Sequence, residues 1–183
     1  MERVRSCVSS SVVRPRLRTL LAIGVAVALA GCHCLRRFPD GPAACTDAPS
    51  AVVVDASRHA LSLCEHGRAV AWWSVRLGWN GTGKQREGDR RTPSGLYPLG
   101  APRPSARYGT FVPIGYPTPA ERSAGYTGSA VGVHGPSRPV AWLGGLVNAV
   151  DTTDGCVGLA RDDDMRALAA WVSAHPGAPI VIR

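Results

Sequence analysis

The chain has 183 residues, of which 45% are hydrophobic, 6% aromatic and 19% charged. This composition suffices for one globular domain with its own core and excludes a fibrous or wholly disordered protein. The formal charge of +8 overstates the basicity, because removing residues 1–31 leaves 16 basic and 12 acidic residues, a charge of +4. The remaining arginines are scattered without interleaved aromatic residues, so no nucleic-acid partner is expected.

The first 31 residues have the pattern of an export signal. Arginine is the only basic residue type in residues 1–18, and residues 19–30 form an apolar run. That run is shorter than the roughly 20 residues that span a bilayer. It ends in Leu29-Ala30-Gly31-Cys32, which resembles the bacterial lipobox, whose cysteine is lipidated and becomes the mature N-terminus.

The sequence therefore predicts a lipoprotein signal over residues 1–31 and a lipid on Cys32. The protein is expected to be exported and held at the membrane on the periplasmic side of the envelope. His33 stands where some bacteria use Asp to mark retention at the inner membrane, so attachment to the outer membrane is favoured. An ordinary cleaved signal and an uncleaved anchor are the alternatives.

Residues 32–50 are rich in Pro, Ala and polar residues and are predicted to be a flexible tether before a domain over residues 51–183. Export favours disulfides. Two pairings are possible, Cys45 with Cys64 or Cys34 with Cys45. No metal site is expected, since the Cys32-His33-Cys34 spacing is too tight and a fourth ligand is missing.

In chain order, apolar runs and alternating patterns predict a mostly β domain. Strands are expected at residues 52–54, 61–63, 69–77, 95–99, 111–114, 130–134 and 180–182. The pattern also predicts a short helix at 118–124, a glycine-weakened helix or compact loop at 141–150, and an amphipathic helix at 162–173. The polar loop at 78–93 is long enough to be functional.

One cysteine and one histidine are the candidates for chemistry. Cys156 follows Gly155 on a short polar turn, and His134 ends a strand-like run. A thiol held beside a flexible backbone joint, with a histidine to take its proton, is the minimum required for covalent acyl transfer. Taken alone, a buried thiol or a histidine at a strand end is more often structural.

Three segments together resemble a known family. Residues 84–97 (KQREGDRRTPSGLY) resemble its loop K-x-x-x-G-D-x-x-T-P-x-G-x-Y, and residues 133–135 (VHG) resemble its hydrophobic-His-Gly strand end. Residues 153–157 (TDGCV) resemble its turn S/T-x-G-C-hydrophobic, and Trp142-Leu143-Gly144 resembles an insertion in one branch. In this order the segments resemble the L,D-transpeptidase catalytic domain, also called YkuD-like, over residues 51–183.

The resemblance implies a β-sandwich or barrel-like YkuD-type fold with one or two packed α-helices. It implies a cysteine enzyme that needs no cofactor and has peptidoglycan peptide stems as its partner. Such enzymes attack the L,D bond of a tetrapeptide stem, release D-alanine and make 3→3 crosslinks. The alternatives are an L,D-carboxypeptidase that hydrolyses the same bond and a non-catalytic wall-binding lipoprotein.

The resemblance also suggests a role for each residue near the thiol. Cys156 is the expected nucleophile, and His134 is the expected base in a thiolate–imidazolium pair. The carbonyl of Gly135 is expected to orient the imidazole. Backbone N–H groups of Cys156, Gly155 and Asp154 are the expected oxyanion donors.

Two positions differ from the family pattern. Asp154 stands where many members have His, and Gly158 stands where many have Arg or Asn two residues after the cysteine. A basic residue of the polar loop is therefore expected to bind the substrate carboxylate. The predicted substrate-binding residues are Asp154, Lys84, Arg86, Arg91 and Trp142.

Overall fold

The computed structural model describes residues 39–183. The predicted signal, the predicted lipidation site Cys32 and Cys34 lie outside these residues. The strands are β1 (Ser50–Asp55), β2 (Ala60–Glu65), β3 (Arg68–Arg76), β4 (Gly95–Pro98), β5 (Arg103–Ser105), β6 (Gly109–Pro113), β7 (Gly132–His134), β8 (Val157–Leu159) and β9 (Pro179–Ile182). The helices are α1 (Pro119–Ser123), a 3₁₀ segment (Arg138–Ala149) and α2 (Asp162–Ala174).

The nine strands form one curled sheet in the order β4-β9-β1-β2-β3-β8-β7-β6-β5. Neighbouring strands are antiparallel except for β1 with β9 and β7 with β8. β1 and β9, the first and last strands in sequence, pair with each other near one edge of the sheet. The parallel pair β7–β8 brings together the two segments that carry His134 and Cys156.

The curled sheet closes around an apolar core to which α2 contributes one face. Met165, Leu168 and Val172 of α2 are buried, at the spacing that puts them on one side of the helix. They pack with buried strand residues such as Val133 and Val157. The mostly β fold expected from the sequence is confirmed, and the predicted amphipathic helix is observed with its buried stripe.

Residues 39–49 were predicted to be part of a flexible tether, but in the structure they pack on the domain. Ala43 is buried, and its carbonyl accepts a hydrogen bond from Ser62 Oγ at 3.1 Å. Cys45 forms a disulfide with Cys64, which decides between the two possible pairings. Ala43, Cys45 and Ala48 join a second apolar cluster with residues of β1 and β2, so alanines in this stretch serve packing as well as connection.

The segment for which a weak helix or a compact loop was expected consists of 3₁₀ turns. Its helical conformation is interrupted at Gly144, whose φ of 53° and ψ of −131° lie outside the helical region. Asn148, near its end, is buried and donates from Nδ2 to the Ser74 carbonyl at 2.6 Å. This contact fixes the segment against β3. Two short strands, β5 and β8, were not predicted.

Candidate active site

Thr153 shapes the turn that carries the cysteine. Its hydroxyl accepts a hydrogen bond from the Gly155 N–H at 3.2 Å and donates to the Cys156 carbonyl at 2.6 Å. Its own N–H donates to the Leu77 carbonyl, and its carbonyl accepts from the Trp79 N–H. The turn is therefore fixed to the chain that leaves β3.

Gly155 gives the turn its shape, but the structure corrects its expected role as an oxyanion donor. Its N–H is already used by the Thr153 hydroxyl, because this side chain closes the turn. Its φ is +128°, and a Cβ at this position would lie 2.6 Å from the Arg91 carbonyl oxygen. Glycine is thus required here for its conformation and for the close approach of two backbones.

The register of β7 and β8 brings the segments of Cys156 and His134 side by side. Val133 pairs with Val157, and His134 pairs with Gly158. Side chains alternate along a strand, so the two valines point into the core and His134 points to the opposite face. Cys156 immediately precedes β8, so the same alternation leads us to expect its side chain on the face of His134.

The thiol of Cys156 is partly exposed and is the one free cysteine among residues 39–183. It donates a weak hydrogen bond to the Ala130 carbonyl oxygen, at 3.7 Å from Sγ. Burial raises the pKa of the Cys156 thiol, a backbone hydrogen bond from Gly132 lowers it, and the charge of Asp154 raises it. The balance is a pKa above that of an ordinary cysteine.

His134 is buried and held by the neighbouring backbone. Its Nδ1 lies 2.7 Å from the Gly135 carbonyl oxygen, the contact expected from the sequence. A carbonyl oxygen only accepts, so Nδ1 carries the proton and Nε2 keeps its lone pair. The imidazole is therefore in the tautomer that a general base requires.

Burial lowers the pKa of His134 to about 4. The hydrogen bond to Gly135 raises it in part, and the charges of Arg76 and Arg107 lower it. With the pKa of Cys156 raised, both groups are neutral at neutral pH. Burial thus disfavours the charged form of each group, and the expected thiolate–imidazolium pair stays a prediction.

Aromatic rings cover the imidazole. Tyr108 stacks on His134. The Phe111 ring is nearly parallel to the imidazole, with 6.4 Å between the ring centroids and 9° between the ring planes. The guanidinium of Arg107 lies 5.2 Å from the centroid of Tyr108, and that of Arg103 lies 4.9 Å from the centroid of Phe111. These rings desolvate the imidazole and fix its plane.

A cavity of about 80 Å³ opens beside the imidazole. Besides His134 it is lined by polar and apolar side chains from five parts of the chain: Arg76, Arg107, Tyr108, Ser137, Val140, Val147, Thr152, Thr153 and Asp154. Of the predicted substrate-binding residues, Asp154 is the one that lines this cavity. Its exposed carboxylate lies 3.7 Å from the Arg90 Nε.

Lys84 is buried, and its ammonium is used inside the polar loop. Its Nζ donates to Asp89 Oδ1 at 2.8 Å and to the Arg86 carbonyl at 3.0 Å. The structure thus contradicts a role for Lys84 in binding the substrate carboxylate directly, since its ammonium is buried and already paired with Asp89. Its charge does lower the pKa of Cys156.

The other predicted substrate-binding residues lie elsewhere. Arg86 and Arg91 line a separate recess with Asp89, and Arg91 Nη1 donates to the Thr82 carbonyl at 3.0 Å. Trp142 is 80% exposed, and its Nε1 donates to the Pro139 carbonyl. None of these three lines the cavity at His134, because loop and 3₁₀ backbone turn their side chains outward.

Sequence reasoning missed Arg76, Arg107 and Tyr108. Arg76 is an arginine between Val75 and Leu77, in a strand whose neighbours are buried. A charged residue flanked by apolar residues at the end of a strand was the available signal. The other two follow a short strand that the sequence pattern did not predict, so nothing placed them near His134.

Among the described residues no group of three His, Cys, Asp or Glu side chains is arranged to hold a metal ion. None of the helices within residues 39–183 has the length and apolarity needed to cross a membrane.

Comparison with known proteins gives a family and a fold. The model of the family described as L,D-transpeptidase catalytic domain (YkuD) matches residues 49–182. No curated protein matches the sequence.

Two solved structures are similar in fold. Pgp2, the helical cell shape determining protein of Campylobacter jejuni, is 23% identical with a TM-score of 0.61, over 73% of this chain and 47% of Pgp2. Bd1075 of Bdellovibrio bacteriovorus is 22% identical with a TM-score of 0.55, over 81% of this chain and 51% of Bd1075. The chain thus spans about half the length of each of these structures.

Proposed function

Because the chain belongs to the L,D-transpeptidase catalytic-domain family, we propose that it is a peptidoglycan L,D-transpeptidase with Cys156 as nucleophile. Cys156 forms an acyl-enzyme with a tetrapeptide stem and passes the acyl group to an amine of a second stem. The observation that supports this most directly is the pairing of β7 with β8, which brings the segments of Cys156 and His134 side by side, with the histidine held by Gly135 at 2.7 Å.

Acylation begins from the neutral pair. The thiol turns from the Ala130 carbonyl toward Nε2 of His134, which takes its proton as the sulfur attacks the scissile carbonyl carbon. The raised pKa of Cys156 and the lowered pKa of His134 mean that charge develops during attack rather than at rest. The positive charges of Lys84 and Arg107 favour the developing thiolate, since both lower the pKa of Cys156.

The proton on His134 then goes to the leaving group. The tetrahedral intermediate collapses, the carbon–nitrogen bond breaks, and the departing amine takes the proton from Nε2. The remaining species are a thioester on Cys156 and a neutral imidazole. In the second half, His134 takes a proton from the acceptor amine, the amine attacks the thioester, and the sulfur recovers the proton.

The oxyanion needs backbone donors near the sulfur. The Gly155 N–H is used within the turn, so the N–H groups of Cys156 and Asp154 remain the proposed donors. The fixed turn built on Thr153 holds them in place before the substrate arrives.

The test is to incubate the full-length protein with a disaccharide that carries a tetrapeptide stem and to weigh the products and the protein. We expect a mass increase on the Cys156 peptide and crosslinked dimers. Cys156→Ala abolishes both, and His134→Gln lowers the acylation rate by at least roughly 100-fold. His66→Asn, at an exposed histidine far in sequence from the site, is the matched control and keeps full activity.

The products also separate the alternatives. Shortened monomers without dimers would show transfer to water and an L,D-carboxypeptidase. Absence of any acyl-enzyme on the wild-type protein, together with an inert Cys156 thiol, would show a non-catalytic wall-binding protein.

The same proposal includes the lipid anchor, which places the domain next to peptidoglycan on the periplasmic side of the envelope. Its support is the lipobox-like Leu29-Ala30-Gly31-Cys32 after an apolar run. Labelling cells with a radioactive fatty acid tests it. The wild-type protein is expected to take up label and fractionate with the outer membrane, and Cys32→Ser is expected to do neither.

A further inference from the structure

We propose that Arg76 and Arg107 form a carboxylate-binding site on the imidazole side of the reaction centre. The site takes the terminal carboxylate of the residue that leaves the donor stem. This inference rests on the proposed function and adds to it the group that recognises the donor end.

Arg76 is a buried cation with only neutral hydrogen-bond partners. It is 4% exposed. Its Nη1 donates to Asn148 Oδ1 at 3.1 Å and to the Leu159 carbonyl at 3.0 Å, and its Nη2 donates to the Gly135 carbonyl at 3.3 Å. No carboxylate within residues 39–183 forms an ion pair with it. Buried charges in proteins are normally paired, so we expect this guanidinium to bind an anion.

The fold fixes this guanidinium in place. Gly158 lies across from it on β8, and a Cβ on that glycine would lie 2.6 Å from Arg76 Cζ. The absence of a side chain at Gly158 thus makes the space that Arg76 fills from the neighbouring strand β3. Because Asn148 and two backbone carbonyls hold its N–H groups, the charge is oriented before any ligand binds.

Arg107 adds a second positive charge at the same cavity. Its side chain is exposed and lies over the Tyr108 ring, and it forms no ion pair with any described residue. Both arginines line the cavity of about 80 Å³ together with Ser137 and His134. That volume holds several water molecules or one small anionic group. Two guanidinium groups and a hydroxyl are suitable donors for a carboxylate.

The position of the cavity matches the leaving group. During acylation the departing amine takes its proton from His134, so this nitrogen must lie at the imidazole. In a terminal amino acid the carboxylate carbon is about 2.5 Å from the nitrogen, across one Cα. The carboxylate of the leaving residue therefore reaches the cavity beside His134, and a donor that ends one residue after the cleaved bond is preferred over a longer one.

Donors that differ only at this carboxylate test the site. The full-length protein is incubated with a tetrapeptide stem that ends in a free carboxylate or in a carboxamide, and the rate of Cys156 acylation is measured by intact mass. We expect the wild-type protein to acylate roughly 10- to 100-fold faster with the carboxylate donor. Arg107→Gln removes a charge that favours the thiolate with either donor, so it should slow both reactions, but the loss on the carboxylate donor should be about 10-fold larger than the loss on the carboxamide.

Arg103→Gln is the matched control, because Arg103 also lies over an aromatic ring but outside the cavity. It should alter neither rate. Arg76→Lys keeps the charge without the fork of donors, and in folded protein it should also reduce the preference for the carboxylate donor. If Arg76→Lys does not fold, the comparison of the two donors with Arg107→Gln still tests the site.

Equal acylation of wild-type protein by the two donors would overturn this inference and leave the proposed function standing. So would equal losses on both donors in Arg107→Gln, since these would indicate an effect on the thiol or on the fold and not on carboxylate recognition. Absence of acylation with either donor would overturn the proposed function and this inference together.

Discussion

The Tyr108 ring lies on the His134 imidazole, with 3.7 Å between centroids and 21° between planes. This contact links a residue of the β5–β6 turn to the proposed base on β7. It accounts for part of the burial that lowers the pKa of His134 to about 4. The protonation state of the site therefore depends on a residue outside the family motifs.

Replacing Tyr108 tests this dependence. In Tyr108→Ala water reaches the imidazole, so the pKa of His134 should rise toward its ordinary value, and stability should fall by about 1 kcal/mol from the lost ring contact. Tyr108→Phe keeps the ring and should change neither quantity by much. The measurements are an NMR titration of His134 and chemical unfolding; an unchanged pKa in Tyr108→Ala would contradict the account.

The lowered pKa of His134 also predicts how stability depends on pH. Above pH 6.5 the imidazole is neutral in both the folded and the unfolded protein, so it contributes no pH dependence. Between pH 6.5 and 4 the unfolded chain binds a proton that the folded chain does not. The free energy of unfolding should therefore fall with falling pH, by up to about 3 kcal/mol from this group.

Because carboxylates also titrate in this range, the comparison is between the wild-type protein and His134→Gln. Urea unfolding of both from pH 7 to 4 should show the additional loss only in the wild-type protein. Parallel curves for the two proteins would show that the histidine is not the group responsible.

Gly155→Ala should damage the cysteine turn. The φ of +128° is unfavourable for alanine, and the new Cβ would lie 2.6 Å from the Arg91 carbonyl oxygen. We expect a loss of about 1–3 kcal/mol in the free energy of unfolding and at least a roughly 10-fold slower alkylation of Cys156. Gly177→Ala, at a positive φ with open space around it, is the control that separates conformational strain from the clash.

Asp89 organises the polar loop over residues 78–93. Burial raises the pKa of its carboxyl, but hydrogen bonds from the Arg86 N–H, the Lys84 ammonium and two further N–H groups hold the pKa well below its usual range. Asp89→Asn removes the charge beside the buried Lys84 and should cost about 2 kcal/mol.

Hydrogen exchange of this loop measures the effect of Asp89→Asn. We expect faster exchange of the backbone amides that donate to the Asp89 carboxylate in the wild-type protein. Glu87→Gln, at an exposed position of the same loop, should leave exchange and stability unchanged. Similar exchange in the two variants would show that the loop is held by other contacts.

Most of the architecture was predictable because its determinants are local. The amphipathic stripe of α2 and the apolar runs of β1 and β9 depend on the order of residues alone. β5 has the sequence Arg-Pro-Ser, with no apolar alternation, and β8 is three residues long with Gly158 at its centre, so neither shows such a pattern. The packing of residues 39–49 was missed because their burial follows from the disulfide of Cys45 with Cys64 and from contacts such as Ser62 with Ala43.

The sequence by itself determined which atoms can react: a cysteine after a glycine, a histidine before one, and the order of the motifs around them. Only the tertiary structure decided how charge is arranged there. It seals Lys84 away, uses the Gly155 N–H within the turn, and sets Arg76 above Gly158. Burial and cross-strand register cause these outcomes, and both arise from residues far apart in the chain.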